Sequence, residues 1–401
     1  MSVNTTAKRQ FSSIANAMKP SAIRLLLKVA NEPGIISFGG GMPNPESFPI
    51  DDVRKIFDDL IMKNGKKMLQ YGATEGLYSL SVALSKRLGE KEGIKCDPTE
   101  IIQTTGSQEA LYMLGKIFAD PGEYVITEAP TYVGTISAFR ASGIKMIGIG
   151  MDHYGISLDI LRDTLKKYPN PKFIYVIPNF QNPTGITMSL ERRKELLEIA
   201  EERNIPIIED DPYGSLRFSG PHLPSLKSLD KSGNVIYLGT FSKVLAPGIR
   251  LGYVVASKDI IEKLNIAKQA VDLATSTLSE YIAEAYISSG YMDRQIPKII
   301  ELYKQKRDLM IESFQNYFPE DVEYTRPNGG MFIWVTRKGA NTDEMFERAY
   351  KMKVLYVVGS AFYPDEDNHE SMRLNFTYSS NEDIVEGVKR LGKVFEESKV
   401  S

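Results

Sequence analysis

The sequence predicts an α/β protein, built on one large, mostly parallel sheet of seven strands between helices, with a smaller α+β unit after it. Three observations carry this. Strand-like apolar runs alternate with helix-like segments from residue 51 to about 260, the pattern of a parallel sheet. Residues 260–318 are helix-rich, with apolar residues at helical spacing. From about residue 320 the pattern changes to short strands followed by a C-terminal helix.

In order along the chain, residues 1–20 are polar, and residues 21–30 read as a helix with Ser21 as N-cap. Residues 35–38 read as a strand running into Gly39, Gly40 and Gly41. Glycines there let the backbone pass close to a ligand, or make a tight turn. The seven strand candidates are 100–104, 124–127, 145–149, 173–177, 206–210, 235–238 and 252–256. Helices are expected at 108–118, 190–203, 281–288 and 300–318. Residues 329–335, 354–358 and 372–377 read as short strands, and a last helix begins at Asn381. The expected organisation is an N-terminal arm with part of the small domain (1–50), a large domain (51–304) and a C-terminal small domain (305–401).

Composition excludes several classes. A net charge of −2 leaves no electrostatic footprint for nucleic acid. Twenty-one Tyr and seventeen Phe argue against disorder. Cys96 is the only cysteine, which fits a reducing cytoplasm and allows no intrachain disulfide. No signal peptide or membrane span is expected, and the three histidines show no metal-ligand spacing.

The chemistry-bearing residues follow strands. Lys243 lies in a polar turn after the run 235–238, with Thr240 and Ser242 before it and Arg250 after it. A lysine beside a dry core loses hydration, so its pKa falls and its amine can form a Schiff base with an aldehyde. Thr240, Ser242 and Arg250 are then candidates to hold a phosphate. Residues 105–111 follow a strand and open a helix, where backbone N–H groups with Ser107 and Gln108 form an anion cradle, or Ser107 is an ordinary N-cap. Asn182 precedes Pro183, and can donate to a phenolate-like oxygen or mark a turn. Asp210 ends an apolar strand, so it pairs with a protonated ring nitrogen or caps a helix at Pro212. Tyr132 can stack on a flat ring or belong to the core. As a set these describe a pyridoxal phosphate site, with no metal.

On these residues, together with Gln70, Tyr71, Glu75, Gly76, Tyr213, Gly214, Arg373, Asn375 and Phe376, the chain from about residue 12 resembles the fold-type-I, class I/II aminotransferases. It is most similar to the 2-aminoadipate, kynurenine and archaeal aromatic subgroup. The resemblance implies a pyridoxal 5′-phosphate-dependent transferase acting by a ping-pong mechanism, with 2-oxoglutarate as an expected acceptor. Lys243 would hold the cofactor as the internal aldimine and shuttle the Cα proton. Asp210 would keep the ring nitrogen protonated. Asn182 and Tyr213 would bond the ring oxygen, and Tyr132 would stack on the ring. Ser107, Gln108, Thr240, Ser242 and Arg250 would bind the phosphate, joined by Tyr71 of a neighbouring subunit in a homodimer. Arg373 would clamp the substrate α-carboxylate, with Asn182 touching it and Gly40 lining the path. Arg24 would meet an acidic substrate side chain. The same residues admit two other readings. A transcription regulator with a DNA-binding domain ahead of this fold is disfavoured by the charge and by a match starting near residue 12. A lyase or decarboxylase would share the same site residues.

Overall fold

Adjacent residues of the central strands point into two different cores, which is why these runs are apolar throughout. Ile174, Val176, Ile207 and Val235 pack with the helices Leu158–Lys167 and Leu190–Glu202 on one face. Tyr175, Ile208 and Ile236 pack on the other face, in the core shared with the helix Ser107–Phe118. A period of two with both faces covered is the mark of a sheet buried between helix layers.

The computed structural model describes residues 10–18, 29–30, 32–364 and 368–398. Strands are numbered along the chain: β1 Ile36–Ser37, β2 Ile101–Thr104, β3 Tyr124–Ala129, β4 Lys145–Asp152, β5 Gly155–Ile156, β6 Ile174–Val176, β7 Ile207–Asp210, β8 Val235–Thr240, β9 Gly252–Val255, β10 Glu323–Tyr324, β11 Phe332–Thr336, β12 Val354–Leu355, β13 Val357–Val358 and β14 Ser371–Asn375. The large sheet runs β2-β9-β8-β7-β6-β3-β4-β5. Its centre, from β8 through β7, β6 and β3 to β4, is parallel, and β9 enters antiparallel. All seven expected strands are present. The sheet has eight because the chain turns back after β4 and adds the two-residue β5 antiparallel to it. So short a run carries no periodic signal of its own.

The C-terminal sheet runs β10-β11-β14-β13, all antiparallel. The single strand expected at 354–358 is two. β12 pairs with β1, far back in the chain, while β13 pairs with β14. The helix expected at 300–318 is the end of one continuous helix, Tyr291–Tyr317, so the boundary expected at 304/305 falls inside it. Of the helix expected at 21–30, only Val29 and Ala30 are among the described residues, and Arg24 lies outside them. Among the described residues no helix is long and apolar enough to cross a membrane.

Candidate active site

The parallel strands β3, β6, β7 and β8 all end at one edge of the sheet, where loops can carry polar groups past the apolar core. A cavity of about 580 Å³ opens there. Eleven of the expected site residues line it: Ser107, Gln108, Tyr132, Asn182, Asp210, Tyr213, Thr240, Ser242, Lys243, Arg250 and Arg373.

Lys243 sits three residues beyond β8 and its Nζ donates to the carbonyl of Gly41 at 2.9 Å. Burial, reinforced by the positive charges of Arg373 and Arg250, pushes its pKa down to about 8. A substantial fraction of the amine is therefore neutral and nucleophilic near neutral pH.

Asp210 closes β7 and is buried. Tyr175 on β6 donates its hydroxyl to Asp210 Oδ2 at 2.8 Å, while Asp210 Oδ1 is buried without a partner. Burial raises the carboxyl pKa to about 7 against the hydrogen bond from Tyr175, with Asp211 adding repulsion. Asp210 does not cap the following turn. That task falls to Asp211, whose Oδ1 accepts from the Gly214 N–H at 2.9 Å and whose Oδ2 accepts from Tyr237 at 3.1 Å. The two adjacent carboxylates point to opposite sides of the strand end, so one is free for a ligand.

Arg373 is fully buried on β14. One arm donates to Asn182 Oδ1 at 2.9 Å and the other to the Gly39 carbonyl at 2.8 Å. Its guanidinium lies 4.1 Å from the ring centre of Phe332 and 5.1 Å from that of Phe362. Burial lowers its pKa to about 10, so it stays charged, and among the described residues its hydrogen bonds reach no carboxylate. Asn182 also donates to the Tyr213 hydroxyl at 3.4 Å, which joins the two residues expected to hold a ring oxygen. Burial holds the Tyr213 phenol well above its usual range.

The other end of the cavity is a donor cluster. Gly106, at φ 75°, is the N-cap of the helix Ser107–Phe118, so Ser107 is its first helical residue and not its cap. A Cβ on Gly106 would lie 2.7 Å from Arg250 Nη2, so only glycine lets the guanidinium settle on this turn. Thr240 donates to Ser242 Oγ at 3.1 Å and accepts from the Ser242 N–H at 3.2 Å, closing a small turn before the lysine. Gln108 donates to the Gly134 carbonyl at 2.8 Å. A Cβ on Gly134 would lie 2.4 Å from the Tyr132 ring, so the bare backbone leaves room for that ring at the cavity wall.

Three expected residues stand apart. Tyr71 is 86% exposed and lines a separate surface groove. Gly40 is buried, and its neighbour Gly41 lines the cavity in its place. Arg24 lies outside the described residues. Sequence reasoning missed Tyr175, Phe332 and Phe362. Tyr175 carried a signal, a polar-tipped residue in the middle of an apolar strand. The two phenylalanines carried none, because only their position beside Arg373 distinguishes them.

These residues fit pyridoxal phosphate. An unpaired buried carboxylate oxygen suits a ring N–H⁺, Asn182 and Tyr213 suit a ring oxygen, and the donor turn suits a phosphate. A family model for aminotransferase class I and II matches residues 34–391. The chain belongs to that family. It is a transaminase, and its cofactor is pyridoxal 5′-phosphate. The chain is 44% identical over 395 residues to aromatic-amino-acid aminotransferase 1 of Thermococcus litoralis, covering 97% of this chain and 95% of that one. It is 38% identical over 387 residues to the 2-aminoadipate transaminase of Thermus thermophilus, covering 96% of each. Among solved structures, the kynurenine aminotransferase of Pyrococcus horikoshii, crystallised with PMP, superposes with a TM-score of 0.94 at 44% identity, over 99% of both chains.

Proposed function

We propose that this aminotransferase takes the amino group from a broad set of donors, aromatic, 2-aminoadipate or glutamate-like, and passes it to a 2-oxo acid such as 2-oxoglutarate by a ping-pong mechanism. The observation that carries the site assignment is the unpaired Asp210 Oδ1, which shares one cavity with the Lys243 amine and the Arg373 guanidinium. The similarity to aromatic, 2-aminoadipate and kynurenine aminotransferases supports the donor range.

The cofactor, when bound, supplies an electron sink for the electrons left when the donor loses its Cα proton. Asp210 holds the ring nitrogen protonated through Oδ1, and Tyr175 fixes the carboxylate from its other oxygen. Ser107, Gln108, Thr240, Ser242 and Arg250 bind the phosphate. Asn182 and Tyr213 orient the ring oxygen. Arg373 receives the donor α-carboxylate on its planar fork, which lies against the aromatic rings of Phe332 and Phe362. Gly39 and Asn182 keep that fork in place. Lys243 Nζ would hold the cofactor, and the same amine would move the donor Cα proton. Tyr71 is assigned to the neighbouring subunit's phosphate in a homodimer, a role its exposure suits.

A half-reaction panel tests this reading. Single amino acids, added to cofactor-loaded protein without any oxo acid, should abolish the visible absorbance of the lysine-bound cofactor. 2-Oxoglutarate should restore it. A band that persists with every donor overturns the assignment, and CO₂ or ammonia release without an acceptor would indicate lyase chemistry instead.

A further inference from the structure

Behind the phosphate-binding turn lies an ion cluster that the reaction itself does not use. Lys268 is fully buried near the end of the helix Lys258–Gln269. Its ammonium donates to Asp272 Oδ1 at 2.6 Å and to the two oxygens of Glu109 at 3.4 and 3.3 Å. A buried ammonium is tolerated only with such partners. Both carboxylates reach on to one residue. Glu109 Oε2 accepts from the Thr105 N–H at 2.6 Å, and Asp272 Oδ2 accepts from the Thr105 hydroxyl at 2.7 Å. Thr105 immediately precedes Gly106 and Ser107, where the backbone turns left-handed and the helix begins.

We propose that the Lys268–Asp272–Glu109 cluster is the positioning element of the cofactor phosphate site, acting through Thr105. The proposal rests on the pyridoxal phosphate reading of the cavity. A turn that receives an anion must hold its N–H groups aligned before binding, since ordering them afterwards costs affinity. Thr105 is tied by both its backbone and its side chain, so the turn is ordered in advance. The two carboxylates that tie it would by themselves oppose an incoming phosphate. Lys268 offsets one of those two charges, which gives a reason for a lysine to be buried at this point. None of the three charged groups lines the cavity, so they are positioning residues.

Thr105→Val removes the hydroxyl tether at nearly constant shape and leaves the backbone bond to Glu109. Titration of pyridoxal phosphate into the apoprotein should give a Kd raised about tenfold, the effect of one hydrogen bond to a charged group. The apoprotein melting temperature should fall by only about a few degrees, the cost of one hydrogen bond to the fold, and turnover of the cofactor-saturated enzyme should stay close to wild type. Thr105→Ser should restore the wild-type Kd. An unchanged Kd in Thr105→Val, or a Thr105→Ser variant as weak as Thr105→Val, overturns the proposal. Asp272→Asn keeps the shape but turns one of the two accepting oxygens into an N–H₂ donor, so it cannot accept from both Lys268 and Thr105. It should also raise the Kd, and a wild-type value there would remove Asp272 from the cluster's role. Wild-type protein that takes up no cofactor would instead defeat the underlying reading, so the two failures are distinct.

Discussion

At the scale of single residues, the site is a set of buried polar groups left incomplete by the protein. Asp210 is the clearest case. In the cofactor-free protein its pKa is raised from the usual 3.8 to about 7, chiefly by burial. The folded state therefore holds this proton more tightly than the unfolded state does. The resulting stabilisation is fully present below pH 3.8, and it is lost as pH rises toward about 7. Asp210→Asn keeps a neutral group in the same space. The apo variant should thus melt higher than wild type at pH 8 and differ little at pH 4, as differential scanning fluorimetry would read. The same variant should lose at least about 100-fold in turnover, because the preorganised charge at the ring nitrogen is gone. A variant with wild-type turnover would remove Asp210 from its assigned role. Lys243, Asn182 and Arg373 were legible as candidates because each stands in a short motif after or within a strand. Asp210 was expected to face inward because it ends a strand, but whether it meets a ligand or caps the following turn stayed open. That depends on which side of the strand end each carboxylate faces, and on Tyr175 and Tyr237 waiting there.

At the scale of elements, the strand ends and the helix start are packed too closely to move independently. Gly252 opens β9, where a Cβ would lie 2.8 Å from the Ser107 nitrogen and 3.0 Å from the Gly239 carbonyl oxygen. Both contacts are backbone, so neither can rotate away. Gly252→Ala should force the phosphate turn away from β8 and β9. The expected loss is about 1–3 kcal/mol of stability, the usual cost of overpacking, with weaker pyridoxal phosphate binding. Urea unfolding and cofactor titration would check the two effects, and a variant equal to wild type in both would mean the turn tolerates displacement. The alternation of strands and helices was readable because buried strands are apolar on both faces. β5 and the division between β12 and β13 were not readable. Two-residue strands exist only because a partner strand is adjacent, which is a property of the assembled sheet.

At the scale of the whole molecule, the chain draws one site from distant parts. Arg373 meets Asn182 across 191 positions of sequence and Gly39 across 334. The N-terminal strand β1 joins β12 in the C-terminal part, which keeps the Gly39–Gly41 segment beside the site. The proposed homodimer adds a further contribution, through Tyr71. Mixing Tyr71→Ala and Lys243→Ala chains should restore activity that neither variant has alone. A hybrid pair places both lesions at one site and leaves the other site intact. Activity that stays at the level of the separate variants would place Tyr71 in its own subunit's site, or in none.

The sequence by itself determined the fold class, the transaminase chemistry and most of the residues that line the cavity, because these rest on local patterns: apolar periodicity, and polar motifs at the ends of strands. The tertiary structure decided which of two adjacent aspartates faces the cavity, which aromatic rings flank Arg373, and that Lys268 is buried behind the phosphate turn. Those facts arise from contacts between elements far apart in the chain. A side chain's burial and partners are set by the elements packed against it, and no local pattern encodes them.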